Sequence, residues 1–311
     1  MIFDALQQEL APVRVQRSFI YYKKYLEDKN NPTKDTANRE RNMWLEHTIE
    51  QEQFDQWKAL AIPQPTALLE AIKILPRGSW AICFDFTLKT PYLSHGIEAF
   101  DYLENGLIRD PVFEVPIISA TSWKGGLRAA ALAIVMEAQG LEMTATTITV
   151  AEKDERIIRL FGNSKDEMTD FQQGRLTVFM TGFRKTSCIV LNPMNRPRRV
   201  GSQPILLECV PPDHANIGTF TALYCTPAQD ATKRSEQWQT ECWEDSELVG
   251  KAIRDLLTVW GIGAKKSSGN GNAQEAITNV FLLTNATVIV MLPFTLSQLP
   301  SLMRDNYQGV L

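Results

Sequence analysis

The sequence predicts an α+β fold, a ferredoxin-like sandwich with hairpin insertions and an N-terminal helical extension. Two observations carry this. The residues after position 79 read in the order strand, helix, several strands, helix, strand, which suits helices packed on one side of an antiparallel sheet. The residues before it are polar and helical in pattern, with aromatic side chains interleaved. The expected division is an extension over 1–78, the sandwich over 79–292 and a tail over 293–311.

Taken in order, 18–29 sets Phe19, Tyr21, Tyr22 and Tyr25 among Lys23, Lys24 and Asp28, and Asn30-Asn31-Pro32 breaks it. A second helical stretch is expected from about Thr36 to Leu60, with Trp44, Phe54 and Trp57 as its apolar stripe. Trp80 to Leu88 alternates as a strand does, and Val115 to Ile118 is a short apolar run. Ser119, Thr121 or Ser122 can cap a helix that starts near Trp123 and runs to Gly140. A short helix around Ile157–Phe161 should stop at Gly162. Strands are expected at Leu176–Thr181, Ile205–Val210 and Thr219–Tyr224, a helix at Ser246–Trp260, and closing strands at Ala276–Leu283 and Ala286–Leu292.

Composition is that of a globular protein, with 44% hydrophobic and 22% charged residues. The opening residues mix charges into their apolar positions and resemble no secretory leader, and no apolar run reaches membrane-spanning length. A cytoplasmic protein without membrane contact is expected. The five cysteines form no CxxC pair, and the three histidines are far apart, so neither disulfides nor a structural zinc site is expected. The net charge of -4 argues against nucleic acid as a whole-molecule property, but the charge is segregated. Arg184 to Leu207 carries Arg184, Lys185, Arg196, Arg198 and Arg199 without a carboxylate. Trp260 to Gln274 is also acid-free and holds Lys265 and Lys266, whereas acids gather at Glu46–Asp55 and Glu241–Glu247. This is compatible with one basic groove or with solvated loops.

The segment Gly261-Ile-Gly263-Ala-Lys265-Lys266-Ser267-Ser268-Gly269-Asn270-Gly271 has the chemistry of an anion cradle: small residues admit a ligand to the backbone, and open N–H groups attract phosphate. It is neither of the common nucleotide motifs. A P-loop needs glycine immediately before its Lys-Ser pair, where Lys265 stands, and a dinucleotide fingerprint needs a small residue where Lys266 stands. A flexible surface turn is the competing reading.

With this loop, three further segments occur in the order of one family. Leu107-Ile108-Arg109-Asp110-Pro111 is followed by the stretch from Val115 to Arg128, which contains Ser122-Trp123-Lys124-Gly125-Gly126-Leu127-Arg128. Leu160-Phe161-Gly162 precedes Gly174-Arg175-Leu176, and Leu207-Glu208-Cys209-Val210-Pro211-Pro212 leads into Thr219-Phe220-Thr221. Together they resemble the RAMP superfamily, the repeat-associated proteins of CRISPR effector complexes. Ser119-Ala120 stands where the family usually has Pro-Gly.

The resemblance implies an RRM-like domain and a guide-RNA-binding backbone subunit of a type III effector in antiviral defence. Guide RNA, target RNA and other subunits would be its partners. Lys124 and Arg128 would meet phosphate near a helix start, and Arg184, Arg196, Arg198 and Arg199 would sit on a hairpin reaching over the RNA. No cofactor is implied for that role. The alternative within the family is a target-RNA endonuclease. Alignment on Ile108–Pro111 puts the family's cutting aspartate at Glu104, with Asp101 nearby, and such carboxylates would work with Mg²⁺. The bland reading is that Asp101 and Glu104 solvate a loop.

Overall fold

The computed structural model describes residues 47–96, 106–163, 171–192, 194–195, 200–201, 205–227, 236–284, 288–291 and 294–308. The chain begins with strand β1 (His47–Thr48) and helices α1 (Gln51–Ala61) and α2 (Pro65–Ile74), then β2 (Trp80–Leu88) and β3 (Ile117–Ile118). Helices α3 (Ala120–Ala138), α4 (Ala145–Ala151) and α5 (Glu155–Phe161) follow. Next come β4 (Leu176–Val178), β5 (Thr181–Gly182), β6 (Lys185–Leu191), β7 (Met194–Asn195), β8 (Val200–Gly201), β9 (Ile205–Cys209) and β10 (Ile217–Tyr224). Helix α6 (Glu236–Asp255) continues into a π-helical turn at Leu256–Trp260, and the chain closes with β11 (Ala273–Thr284), β12 (Val288–Met291), β13 (Phe294–Thr295) and α7 (Leu299–Gln308).

The main sheet is antiparallel, in the order β12-β11-β2-β10-β4. Alternation along β2 decides its faces. Trp80, Ile82, Phe84, Phe86 and Leu88 enter the core shared with α3 and α6, while Ala81 and Cys83 face α2 through Leu68 and Ile72. In register, Phe84 stands opposite Phe220 and Trp80 opposite Tyr224, and these aromatic pairs lie 5.1 Å and 5.4 Å apart between ring centroids. The α+β class is as the sequence indicates.

Several elements differ from expectation. The stretch Thr36–Leu60 is not one helix: His47–Thr48 pairs with β6 in a small sheet ordered β1-β6-β9, and α1 begins only at Gln51. Leu176–Thr181 is two strands in different sheets, β4 beside β10 and β5 beside β3. Helix α6 begins ten residues before Ser246, because Trp238, Cys242 and Asp245 recur at helical spacing through the acidic run and bury that face. The closing segment, expected as a tail, contains α7, which buries Leu299, Leu302 and Met303 against the core. Tyr21, Tyr22, Tyr25 and Trp44 lie outside the described residues.

Candidate nucleic-acid interface

Helix α3 is the first wall of the site. Ser119 caps it, accepting the Ser122 N–H at 3.1 Å. Trp123 anchors the first turn. Its ring is fully buried, 4.9 Å from that of Phe220 between centroids, and its indole N–H donates to Thr181 Oγ1 at 3.0 Å. With Trp123 fixed inward, Ser122, Gly125, Gly126 and Ala129 face a cleft of about 410 Å³. Gly126 lets the helix approach the π turn, since a Cβ there would meet the Leu256 methyls at 3.0 Å, whereas a Cβ on Gly125 would meet nothing within 4 Å.

The glycine loop is the second wall. Gly261 leaves the π turn at φ +69°, and the loop closes on itself where the Ile262 N–H donates to the Gly271 carbonyl at 3.0 Å. The Gly271 N–H reaches Pro91 O at 2.9 Å and the Ala264 N–H reaches Leu93 O at 2.7 Å, tying the loop to the segment after β2. At Gly263 and Gly271, with φ of +96° and +83°, a Cβ would collide with the carbonyl oxygens of Leu93 and Ile262. These glycines build the neck.

The tip is different. Lys265 is left-handed at φ +53°, a single 3₁₀ turn follows at Lys266–Ser268, and Gly269 returns at φ +79° with open space around it. Asn270 Nδ2 donates to Lys265 O at 3.2 Å and holds the turn shut. Lys265, Lys266, Ser267, Ser268 and Gly269 are all exposed. Among the described residues, neither lysine makes an ion pair, and the amides of Lys266 and Ser267 donate to no protein acceptor. Such a turn presents N–H groups and positive charge together.

Tyr92, Ser94, His95 and Ile108 complete the cleft, with Lys266 at its edge. Tyr92 exchanges both backbone hydrogen bonds with Val210 at 3.0 Å, and burial pushes its phenol up to about 12. Ser94 Oγ accepts the Ile108 N–H at 2.8 Å. Behind this wall lies a buried ion pair. Arg109 and Glu208, 6% and 3% exposed at the side chain, are directly bonded. The second oxygen of Glu208 takes the Leu107 N–H at 2.8 Å, and Arg109 also donates to Glu114 O at 2.9 Å. Asp110 turns the chain by accepting the Val112 and Phe113 amides at 3.0 and 2.8 Å.

Three of the four sequence segments therefore meet at the cleft or brace it. The fourth braces the opposite end. The Arg175 N–H donates to Arg159 O at 2.8 Å, and Arg159 grips the fully buried Asp245 through two nitrogens, with Tyr224 O–H donating to the same carboxylate at 2.9 Å.

The basic residues are not all at the cleft. Lys124 is half-buried on the neighbouring strip of α3; it has no ion pair among the described residues, and burial pulls its pKa down. Arg128 stands one turn further and pairs with Glu152 at 3.1 Å, so its charge is already partnered. Arg184 donates to the Gln51 side chain and faces α1, away from the cleft-lining set. Arg196, Arg198 and Arg199 lie outside the described residues. Asp101 and Glu104 lie outside them too. Among the described residues, no group of His, Cys, Asp or Glu is placed to hold a metal ion, and no helix is long and apolar enough to cross a membrane.

Sequence reasoning missed the partnership of Arg109 with Glu208. A lone carboxylate inside the apolar run from Ile205 to Val210 is the signal that a buried cation must stand opposite.

No curated protein matches the sequence. Among solved structures, a chain of the type III-B Cmr-β complex bound to cognate target RNA, determined by cryo-EM, is similar over 91% of this chain and 97% of its own, with 12% identity and a TM-score of 0.49. The RAMP superfamily model matches residues 85–274. That span contains all four motifs, the cleft they border and the braces on either side of it, and the chain belongs to the RAMP superfamily.

Proposed function

We propose that this chain is an RNA-holding subunit of a type III CRISPR effector, and that it grips the guide-RNA backbone across the glycine-loop tip and the first turns of α3. The observation that carries this reading is the tip itself. Two lysines without ion pairs among the described residues and an open turn of amides stand beside a helix start where Gly125, with open space around it, lets a phosphate backbone come close. Family membership supports the RNA partner. A domain of RRM-like type is supported by the strand order, in which β11, β2, β10 and β4 form the four-stranded core crossed by α3 and α6.

The sheet's other face favours the loop as the RNA surface. RRM domains that read RNA on their sheet stack bases on exposed aromatic residues of the central strands. The outward positions here are Ala81, Cys83, Asp85 and Thr87 on β2 and Ile217, Thr219, Thr221 and Leu223 on β10. None is aromatic, and α2 packs over Ala81 and Cys83. Contact through phosphates carries no base code, so binding should be largely independent of sequence.

RNA that co-purifies with the chain from its own cells tests the proposal. Short RNAs sharing a repeat-derived end, lost when Lys265 and Lys266 are changed to glutamate, are the expected result. No RNA in either preparation would overturn it. Target cutting would rest on Asp101 or Glu104 with Mg²⁺. Unchanged cleavage by the reconstituted complex with alanine at each position would remove that reading.

A further inference from the structure

We propose that Trp260 is a stacking platform for a nucleobase of the RNA strand whose phosphates the glycine loop holds; this rests on the reading above and adds a base contact to it. Trp57, Trp80, Trp123 and Trp238 are buried in the cores, and Trp243 packs partly buried against one. Trp260 is 42% exposed, beside Val259 at 69%. No other ring stacks on it among the described residues.

Its exposure follows from the backbone. Leu256 and Leu257 are buried, and in an ordinary α-helix a residue four after the first and three after the second would share their inward face. The turn over Leu256–Trp260 is π-helical instead, so each residue advances less around the axis. Trp260 is thereby swung out of the core, and Gly261 at φ +69° then takes the chain directly into the loop neck. π turns of this kind concentrate at functional sites.

The position fits a base. Trp260 and Val259 are exposed at one foot of the loop, and Lys265 to Gly269 are exposed at its tip, with the buried neck residues Gly261, Ile262 and Gly271 between them. A nucleotide presents an anionic phosphate and a flat apolar base on one unit. The surface offers positive charge with amide donors on one side and an indole face on the other. Every base has a π-face, so the contact tolerates any sequence, as a subunit that holds changing guide sequences requires.

The test is the affinity of the full chain for a fluorescein-labelled oligouridylate across a salt series. Trp260→Ala should weaken binding by on the order of tenfold and leave the salt slope unchanged, because a neutral contact releases no counterions. Trp260→Tyr should recover most of the loss, which excludes a folding defect. Walking a single abasic site along the oligonucleotide should reveal a position that costs the wild type a similar factor and costs Trp260→Ala nothing further. If Lys265→Gln/Lys266→Gln weakens binding while Trp260→Ala does not, the stacking platform is refuted and the loop reading stands. If neither variant weakens binding, both are refuted.

Discussion

Replacing Gly125 by alanine should stabilise the protein and weaken its hold on RNA. Gly125 lies in the interior of α3, where glycine is about 0.8–1 kcal/mol worse than alanine. An added Cβ would meet nothing within 4 Å, so the gain is not offset by crowding. Thermal unfolding should shift upward by about 2 °C. The new methyl would project into the cleft, where a phosphate backbone approaching the helix would meet it. A clash of the usual overpacking size, about 1–3 kcal/mol, weakens binding roughly fivefold or more. Gly126→Ala is the contrast. Its Cβ would press on the buried Leu256 at 3.0 Å, so the propensity gain is offset and unfolding should move little or downward. Differential scanning calorimetry and RNA titration on the same preparations give both numbers. A Gly125→Ala protein that is more stable and binds RNA as tightly as the wild type would refute a close approach of RNA to α3.

Removing one partner of the Arg109–Glu208 pair should be costly. Glu208→Ala leaves a buried guanidinium and the Leu107 amide without their acceptor, and urea unfolding should report a loss of about 3–5 kcal/mol, while Arg109→Met/Glu208→Leu should be much milder. Gly271→Ala forces a Cβ onto the Ile262 carbonyl and should disrupt the loop neck, whereas Gly269→Ala, with open space around it, should cost only the strain of a positive φ, about 1–2 kcal/mol. Both are readable by limited proteolysis and melting. Lys124 has its folded pKa lowered by burial, so its charged form is penalised in the fold at neutral pH and the penalty fades as pH rises into the lysine range. Lys124→Met should therefore be the more stable protein at pH 7, lose that advantage in alkali, and bind RNA less well.

What could be read from the sequence was local. The alternation of Trp80–Leu88, a hydroxyl cap among Ser119, Thr121 and Ser122, and the Gly162 stop each depend on neighbours within a few residues. The strand and the stop are in place, and the cap is Ser119, which starts α3 at Ala120, three residues before the expected Trp123. Helix α4 is not legible in the sequence, because Thr146, Thr147, Ile148, Thr149 and Val150 are β-branched and read poorly as helix. The reciprocal cap of Thr144 and Thr147 and the burial of Ala151 override that propensity. The site was legible as motifs and illegible as partnerships. Arg128 reads as a free cation at a helix start, yet it meets Glu152, 24 positions on, across the turn into another helix. Arg109 and Glu208 are 99 positions apart, and their ion pair is what makes two motifs one wall. The neck glycines read as ligand contacts, while Gly263 and Gly271 are fixed by the carbonyls of Leu93 and Ile262 and would be required with no RNA present.

The salt dependence of RNA binding tests the central claim most directly. If the loop tip holds two phosphates, changing Lys265 and Lys266 to glutamine should reduce the slope of log affinity against log salt by about 1.4, roughly 0.7 for each lost contact on a single strand. Affinity should fall most at low salt, with the melting temperature unchanged because both side chains are exposed. A slope identical to that of the wild type would mean that RNA, if bound at all, is held elsewhere on the protein.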